Sequence, residues 1–414
     1  MDDSGSLSAD RGTQFKSLYR KLERAVAHIE RMDSTSKMLE AILEHLCTEF
    51  ADDLGFEGGR IYSRLGDDYE LCCGFGTSRN APRGLSVPRD YPPHRRLLRD
   101  GIVFMARGDP GVDEAFEEAI GVGSVFAAIG VGEGYRHIIA FSLKRGVPEE
   151  TVLSSLSLVR HVINLKLQQQ RMAGILDAAR ILQEGILPRE APDFCGFEIA
   201  ALTRPAETVS GDLFDYLPIS DCCIGLAIAD SSGHGLPAAL LARDVITALR
   251  ALAGEKLGVA SIVERVNGVM RHAALSGTFV SLFYGQLSTD GTLEYCNAGH
   301  DPPFLLGERA ARRLEPGGTV LGPIPTARYE AGVARLEPGD TLVLYTDGIV
   351  ERQDRSGEFY GTDRLERLLA GLRGQSARDV ATQALRDADD FAAGAPATDD
   401  MTLVVVRRRP AREA

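Results

Sequence analysis

Behind the cap-like Ser34, apolar side chains recur at three- and four-residue spacing: Met38, Leu39, Ile42, Leu43, Leu46 and Phe50. That period predicts an amphipathic helix. Earlier, Phe15, Leu18, Leu22, Val26 and Ile29 keep near-heptad spacing opposite Lys and Arg, after a polar tail over 1–14 that reads as disordered. This first helix either packs on its own domain or pairs two chains. Past residue 50 the period shortens to two. "GRIYSRL" and "YELCCGFG" predict a hairpin about the turn "GDD". A proline-rich stretch, a helix near "HRRLLRDG", the strand "IVFMA" and a short acidic helix come next. A second hairpin, "SVFAAIGVG" with "YRHIIAFSL", turns on Glu133-Gly134.

From Glu149 to about Leu187 the pattern is helical, with Val152, Leu156, Val159, Ile163 and Leu167 on one stripe. Ile175, Leu176, Ala179 and Leu182 continue it until Pro188 and Pro192 end it. A helix this long between two patterned regions reads as a coiled-coil linker through which the chain forms a homodimer. The alternative is a set of helices packed on a domain. From Phe197 to Arg407 strands outnumber helices. Strands read at "FEIAALTRP", "LFDYLP", "CCIGLAIAD", "TFVSLFYGQLS", "LEYCNAGH", "PPFLLG", "GDTLVLYTDG" and "MTLVVVRRR", and helices at 236–253, 259–275, 363–371 and 377–393. Hairpin-type turns such as "STDGT" predict two mainly antiparallel sheets with helices outside, an α+β class.

Composition narrows the picture. A chain of 414 residues has room for two or three cored domains. Its net charge of −13 argues against nucleic acid as a partner and suits acidic clusters that bind divalent cations. No run approaches the roughly 18 apolar residues of a membrane span, and the acidic start "MDDSGSLSADRGTQ" is neither a signal nor a transit peptide. The seven cysteines (47, 72, 73, 195, 222, 223 and 296) form no CxxC pair and read as reduced core thiols. A chromophore or redox role for Cys72-Cys73 and Cys222-Cys223 is the alternative. Together these features predict a cytoplasmic protein.

Four aspartates end, or closely flank, apolar strands beside a glycine or a second acid. They are Asp212 in "VSGDLFDY", Asp230 in "IADSSGHG", Asp347 in "LVLYTDG" and Asp399 in "ATDDMTLVVV". One such aspartate is usually a turn former. Four of them, gathered without cationic partners, repel one another, and a divalent cation relieves the repulsion. Ligation by oxygen, with few histidines nearby, points to Mg²⁺ or Mn²⁺ and not to zinc. Two such ions roughly 3.5–4 Å apart can activate a water for in-line attack on phosphorus. His234 and His300, each beside glycine, are either general acids for a leaving group or turn formers bonded to backbone. Gly233, Gly235, Gly299 and Gly348 read as turn positions that need unusual dihedrals.

From "LQEGILPREAPDFCGFEIAALTRPAETVSGDLFDY" through "IADSSGHGLPAALLA", "NAGHDPPFLL" and "GDTLVLYTDGIVERQD" to "ATDDMTLVVV", the chain resembles the sporulation stage II protein E-like serine phosphatases. These are the bacterial branch of the metal-dependent, type 2C protein phosphatases. The resemblance covers about residues 180–408 and implies an antiparallel β-sandwich flanked by helices around a dinuclear Mn²⁺ or Mg²⁺ centre. It implies that Asp212, Asp230, Asp347 and Asp399 are the catalytic, metal-binding acids, with Ser231 giving a backbone carbonyl and Asp400 a second terminal acid. Glu207 and Asp215 would support these ligands. Two departures are mild: Ser210 stands where the family has glycine, and Ser231 exposes a hydroxyl where valine is common.

The order of elements over 34–168 resembles a GAF sensory domain, and the resemblance implies either a small-molecule ligand or a purely dimerising role. The expected organisation is thus a tail and helix over 1–33, the GAF-like domain over 34–168, an overlapping helical linker over 149–187 and a phosphatase domain over 188–414. Because the linker leads almost directly into the strand before Asp212, its packing should control that acid. The expected substrate is a phosphorylated anti-sigma-factor antagonist. Two rivals remain: a ligand-sensing scaffold without turnover, and a nucleotide phosphohydrolase, for which the chain offers no G-x-x-x-x-G-K-[ST] loop.

Overall fold

A computed structural model of the chain describes residues 34–273, 277–308, 310–315 and 317–410. The tail and the helix expected over 15–29 lie outside them. The chain forms two compact units that divide between Ala173 and Gly174.

In the first unit, α1 (Thr35–Glu49) precedes the hairpin of β1 (Phe56–Leu65) and β2 (Asp68–Gly76), then β3 (Ser86–Val87). Next come α2 (Pro92–Asp100), β4 (Ile102–Ala106), α3 (Glu114–Ala119), β5 (Val125–Val131) and β6 (His137–Leu143). The strands form one antiparallel sheet in the order β3-β2-β1-β6-β5-β4. All of β5 and the stretch Ile138–Phe141 of β6 are apolar without interruption because both faces are covered. Ala127, Ile129, Ile139 and Phe141 pack with α1 and with α4 (Glu149–Glu184), while Phe126, Ala128, Ile138 and Ala140 pack beneath Leu97 of α2.

This packing corrects the expected dimer face. Val152, Leu156, Val159 and Ile163 are at most 2% exposed in the core of this unit, so that half of the stripe meets its own sheet and not a second chain. The cysteines also divide. All are free, and Cys47, Cys73 and Cys296 are buried, but Cys195 and Cys222 are exposed at turns and are not core residues.

The second unit is a sandwich. One sheet runs β14-β11-β10-β9-β8, from Gly332–Arg335, Thr292–Ala298, Val280–Ser288, Cys223–Ser231 and Asp212–Ser220. The other runs β13-β12-β15-β16-β7, from Ala311–Arg313, Phe304–Leu306, Thr341–Tyr345, Met401–Arg408 and Phe197–Arg204. Every pairing between these strands is antiparallel. Helices α5 (Gly235–Leu252) and α6 (Val259–Ala273) cover the first sheet. Helices α8 (Thr362–Gly371) and α9 (Ala377–Ala392) cover the second, and the one-turn α7 (Asp347–Val350) starts at Asp347 itself. Among the described residues no helix is long and apolar enough to cross a membrane.

Strand alternation fixes which side chains face inward. Phe214 and Tyr216 of β8, Leu226 and Ile228 of β9, Phe283 of β10, Leu344 of β15 and Val404 of β16 fill the layer between the sheets. Two residues further along the same faces stand Asp212, Asp230, Ser281, Thr346 and Thr402. The inner layer therefore changes from apolar to polar at one end of the sandwich, where the candidate site lies.

Candidate active site

Asp212 and Asp230 are direct partners in the β8–β9 register, and Asp230 pairs in turn with Ser281 of β10. Across the sandwich, the Thr346 hydroxyl donates to Asp212 Oδ2 at 2.7 Å and accepts the Thr402 N–H at 2.9 Å. Asp212 is thus bound to both sheets. Burial, then the charge of Asp230, push its carboxyl well above the usual carboxylate range. Burial followed by the charges of Asp399 and Asp400 raises Asp230 to about 6. Burial and the charges of Asp230 and Asp399 raise Asp347 to about 7, and burial raises Asp399. These four acids feel one another, and among the described residues no ion pair joins any of them to a cation. Among the described residues no three His, Cys, Asp or Glu side chains close on one point as a finished cage. What the site offers a cation is its electrostatics: several buried or half-buried carboxylates that crowd one another without a Lys or Arg partner among the described residues.

A match to a known family falls on this half of the chain. Residues 220–409 match the family model described as Stage II sporulation protein E (SpoIIE). The domain belongs to the SpoIIE family. Protein IcfG of Synechocystis sp. is 28% identical over a 266-residue alignment that covers 56% of this chain and 41% of that protein. Phosphoserine phosphatase RsbU of Bacillus subtilis is 28% identical over 247 residues, 58% of this chain and 72% of RsbU. The solved SiaA-PP2C domain of Pseudomonas aeruginosa shares the fold, with a TM-score of 0.52 at 22% identity over 58% of this chain and 98% of that domain. Phosphatases of this family are metal-dependent.

Within this SpoIIE-family domain the two terminal acids differ. Both oxygens of Asp400 accept backbone N–H groups, from Ala206 at 2.7 Å and Gly211 at 2.6 Å. Asp400 thus holds the loop before Asp212, and each of its oxygens keeps a lone pair that a cation can use. Ser210 and Ser231 complete that hold. The Ser210 hydroxyl accepts the Asp212 N–H at 3.1 Å, so a side chain is accommodated where the family has glycine. Ser231 is 1% exposed, contrary to the expected exposed hydroxyl. It lies close to two carbonyls and bonds Gly211 O at 3.0 Å and Ala238 O at 2.8 Å.

Asp215 faces away from the acids and takes a two-point ion pair from Arg250, at 2.6 and 3.1 Å. Arg250 also donates to the Ile186 carbonyl, tying the segment just after α4 to β8 and α5. Glu207 is half exposed and meets His234 Nδ1 at 2.9 Å. His234 is exposed at the start of α5 and close enough to Asp399 to stabilise its charge.

His300 is different. It is buried, with Nε2 3.1 Å from the Tyr345 carbonyl and Nδ1 2.7 Å from the Ser281 hydroxyl. Nε2 must carry the proton, Nδ1 accepts, and burial pushes the ring down to about 4. It is a neutral tie between the sheets. Gly233, Gly235 and Gly299 have φ of 91°, 72° and 68°, which glycine favours. Gly348 does not have positive φ; a Cβ there would lie 2.0 Å from the Asp400 carbonyl, so glycine is required by close approach. Sequence reading passed over Asp301, whose charge reaches Asp230 and Asp347, because "HDPP" carries no strand-end signal. It also passed over Thr346, which resembles any strand threonine.

Proposed function

We propose that the chain is a Mn²⁺- or Mg²⁺-dependent protein phosphatase acting on phosphoserine or phosphothreonine. The observation that carries the proposal is the set of one buried and three half-buried aspartates (212, 230, 347 and 399) at one end of the sandwich, none of them paired with Lys or Arg among the described residues. Asp212, Asp230, Asp347, Asp399, Asp400 and the Ser231 carbonyl are the proposed holders of two ions. Bound there, the ions supply Lewis acidity toward phosphoryl oxygens and lower the pKa of a water. The chain's own part is positional. Thr346 and Asp400 fix Asp212 and its loop, and His300 keeps the sheets in register. The likeness to RsbU supports a phosphorylated anti-sigma-factor antagonist as substrate. The test is hydrolysis of a chromogenic phosphate and a phosphoserine peptide by the full chain, with divalent metal and with chelator. Equal rates in the two would reject the proposal.

His234, on an exposed turn and paired to exposed Glu207, is proposed to shape the mouth of the site. His234→Ala is expected to lower kcat by less than the roughly 10²–10⁴-fold that loss of a general acid costs. A larger loss, rescued by a substrate with a good leaving group, would reverse the assignment.

The N-terminal unit is proposed to be a GAF-like sensor, and α4 the linker that joins it to the phosphatase domain. With Val159 and Ile163 buried, the dimer face moves to Leu165, Met172, Ile175 and Leu182, which stay 47–71% exposed at seven- and three-residue steps. Met172→Glu with Leu182→Glu is expected to shift the sedimenting species from dimer to monomer. A wild-type chain that sediments as a monomer would remove the proposal.

A further inference from the structure

The N-terminal unit contains a partly open cavity between its sheet and helices α2 and α3. Its enclosed part measures about 20 Å³, room for a water or two. Two opposite charges line it. Arg60 of β1 is 1% exposed, and Glu117 of α3 is 4% exposed. Arg60 donates through Nη1 to Ser78 Oγ at 3.1 Å, Ser142 Oγ at 3.2 Å and Ile120 O at 3.3 Å, but its buried Nε has no partner. Glu117 accepts the Tyr91 hydroxyl on Oε1 at 2.9 Å. Arg60 and Glu117 do not form an ion pair. They still feel each other, since burial pushes the Glu117 carboxyl up and Arg60 draws it back. His94 adds no charge: its Nδ1 lies 3.3 Å from the Pro88 carbonyl and burial lowers the ring to about 4, which leaves Nε2 as an acceptor.

Buried charges are tolerated when paired and hydrogen-bonded, and costly when left apart. Here an arginine and a glutamate share one cavity without closing on each other. We propose that this cavity binds a small zwitterion of the α-amino-acid class, its carboxylate on Arg60 and its ammonium on Glu117. A guanidinium edge matches a carboxylate in plane, and the unpartnered Nε lies on such an edge. A bare carboxylate would set a like charge near Glu117, and a bare amine would do so near Arg60. A molecule carrying both charges leaves neither residue opposed. Leu97 and Phe116 give the remaining wall an apolar character that suits an aliphatic side chain. Growth of the cavity to amino-acid size requires α3 to shift outward, because that helix supplies both Phe116 and Glu117.

The experiment is calorimetric titration of the full chain with the common L-amino acids, then with matched analogues of any binder that lack one charge. For alanine these are propionate and ethylamine; for leucine, 4-methylpentanoate and isopentylamine. At least one amino acid is expected to bind, and each single-charge analogue to bind at least about thirtyfold more weakly. Glu117→Gln keeps the acceptor for Tyr91, so its thermal unfolding should stay close to wild type. The same amino acid should bind this variant at least about thirtyfold more weakly. Failure of every amino acid to bind, carboxylates that bind as tightly as their amino acids, or unchanged binding by Glu117→Gln would each overturn the proposal.

Discussion

Replacing Asp230 or Asp347 with asparagine is expected to abolish metal-dependent phosphate hydrolysis while leaving the fold intact. Loss of a group that merely orients a metal ligand costs about 10–100-fold, so loss of a ligand oxygen should exceed about 10²-fold. Asparagine keeps the volume of the side chain, and neither acid is needed to neutralise a cation, since among the described residues no ion pair joins them to one. The same substitution has a second, opposite readout. Asp347 is raised to about 7 in the folded chain, against an ordinary value of 3.8. Its neutral form is therefore favoured by folding. Its contribution to stability is complete below pH 3.8 and is lost as pH rises through about 7. At pH 8 with chelator, Asp347→Asn should be more stable than wild type by on the order of 1–3 kcal/mol, and the gain should vanish near pH 3.5. Circular dichroism melts at the two pH values check the sign. If both variants keep most of their metal-dependent activity, the assignment of these acids to the ions fails.

The acids were readable in the sequence because the sandwich makes them so. In β8 and β9 the apolar alternation runs through Phe214 and Ile228 to Asp212 and Asp230, so one strand pattern supplies both the core and the place where it stops. The outer helices were readable for a similar reason, since Val245, Leu249, Val380 and Leu385 sit on apolar faces with helical spacing. Periodicity does not say what covers a stripe, however. Val159 and Ile163 have the spacing of a coiled-coil seam, yet their own sheet buries them. Nor does sequence separate adjacent like residues: Asp399 and Asp400 look equivalent until the Ala206 and Gly211 N–H groups are found on one of them. Gly348 was correctly singled out for the wrong reason, because a contact with the Asp400 carbonyl, 52 residues further on, leaves no local mark. The same holds for Arg60 and Glu117, which only the folding of the sheet brings to one cavity.

Gln183→Ala is expected to reduce turnover about a hundredfold at limiting metal, although Gln183 touches none of the four acids. It lies in the last turn of α4 and is 9% exposed. Its Nε2 donates to the Ser210 carbonyl at 2.6 Å and its Oε1 accepts the Ser210 N–H at 3.0 Å. Ser210 in turn caps the Asp212 N–H. Alanine leaves two buried backbone groups without partners, at about 1–3 kcal/mol each, and the loop is expected to move to find others. A shift of roughly 1 Å in a reacting group can cost about a hundredfold. Asp400 still holds Gly211 from the other side, so the loop should be displaced and not unfolded. Excess metal should then restore much of the rate, because bound ions favour the arrangement in which Asp212 meets them. A loss of folding alone would not give that recovery, and the metal titration therefore separates positioning from damage. The same amide is where a rotation of α4 would be felt by Asp212, which gives the linker a physical route to the site. A variant with wild-type turnover at every metal concentration would make the helix a passive connector.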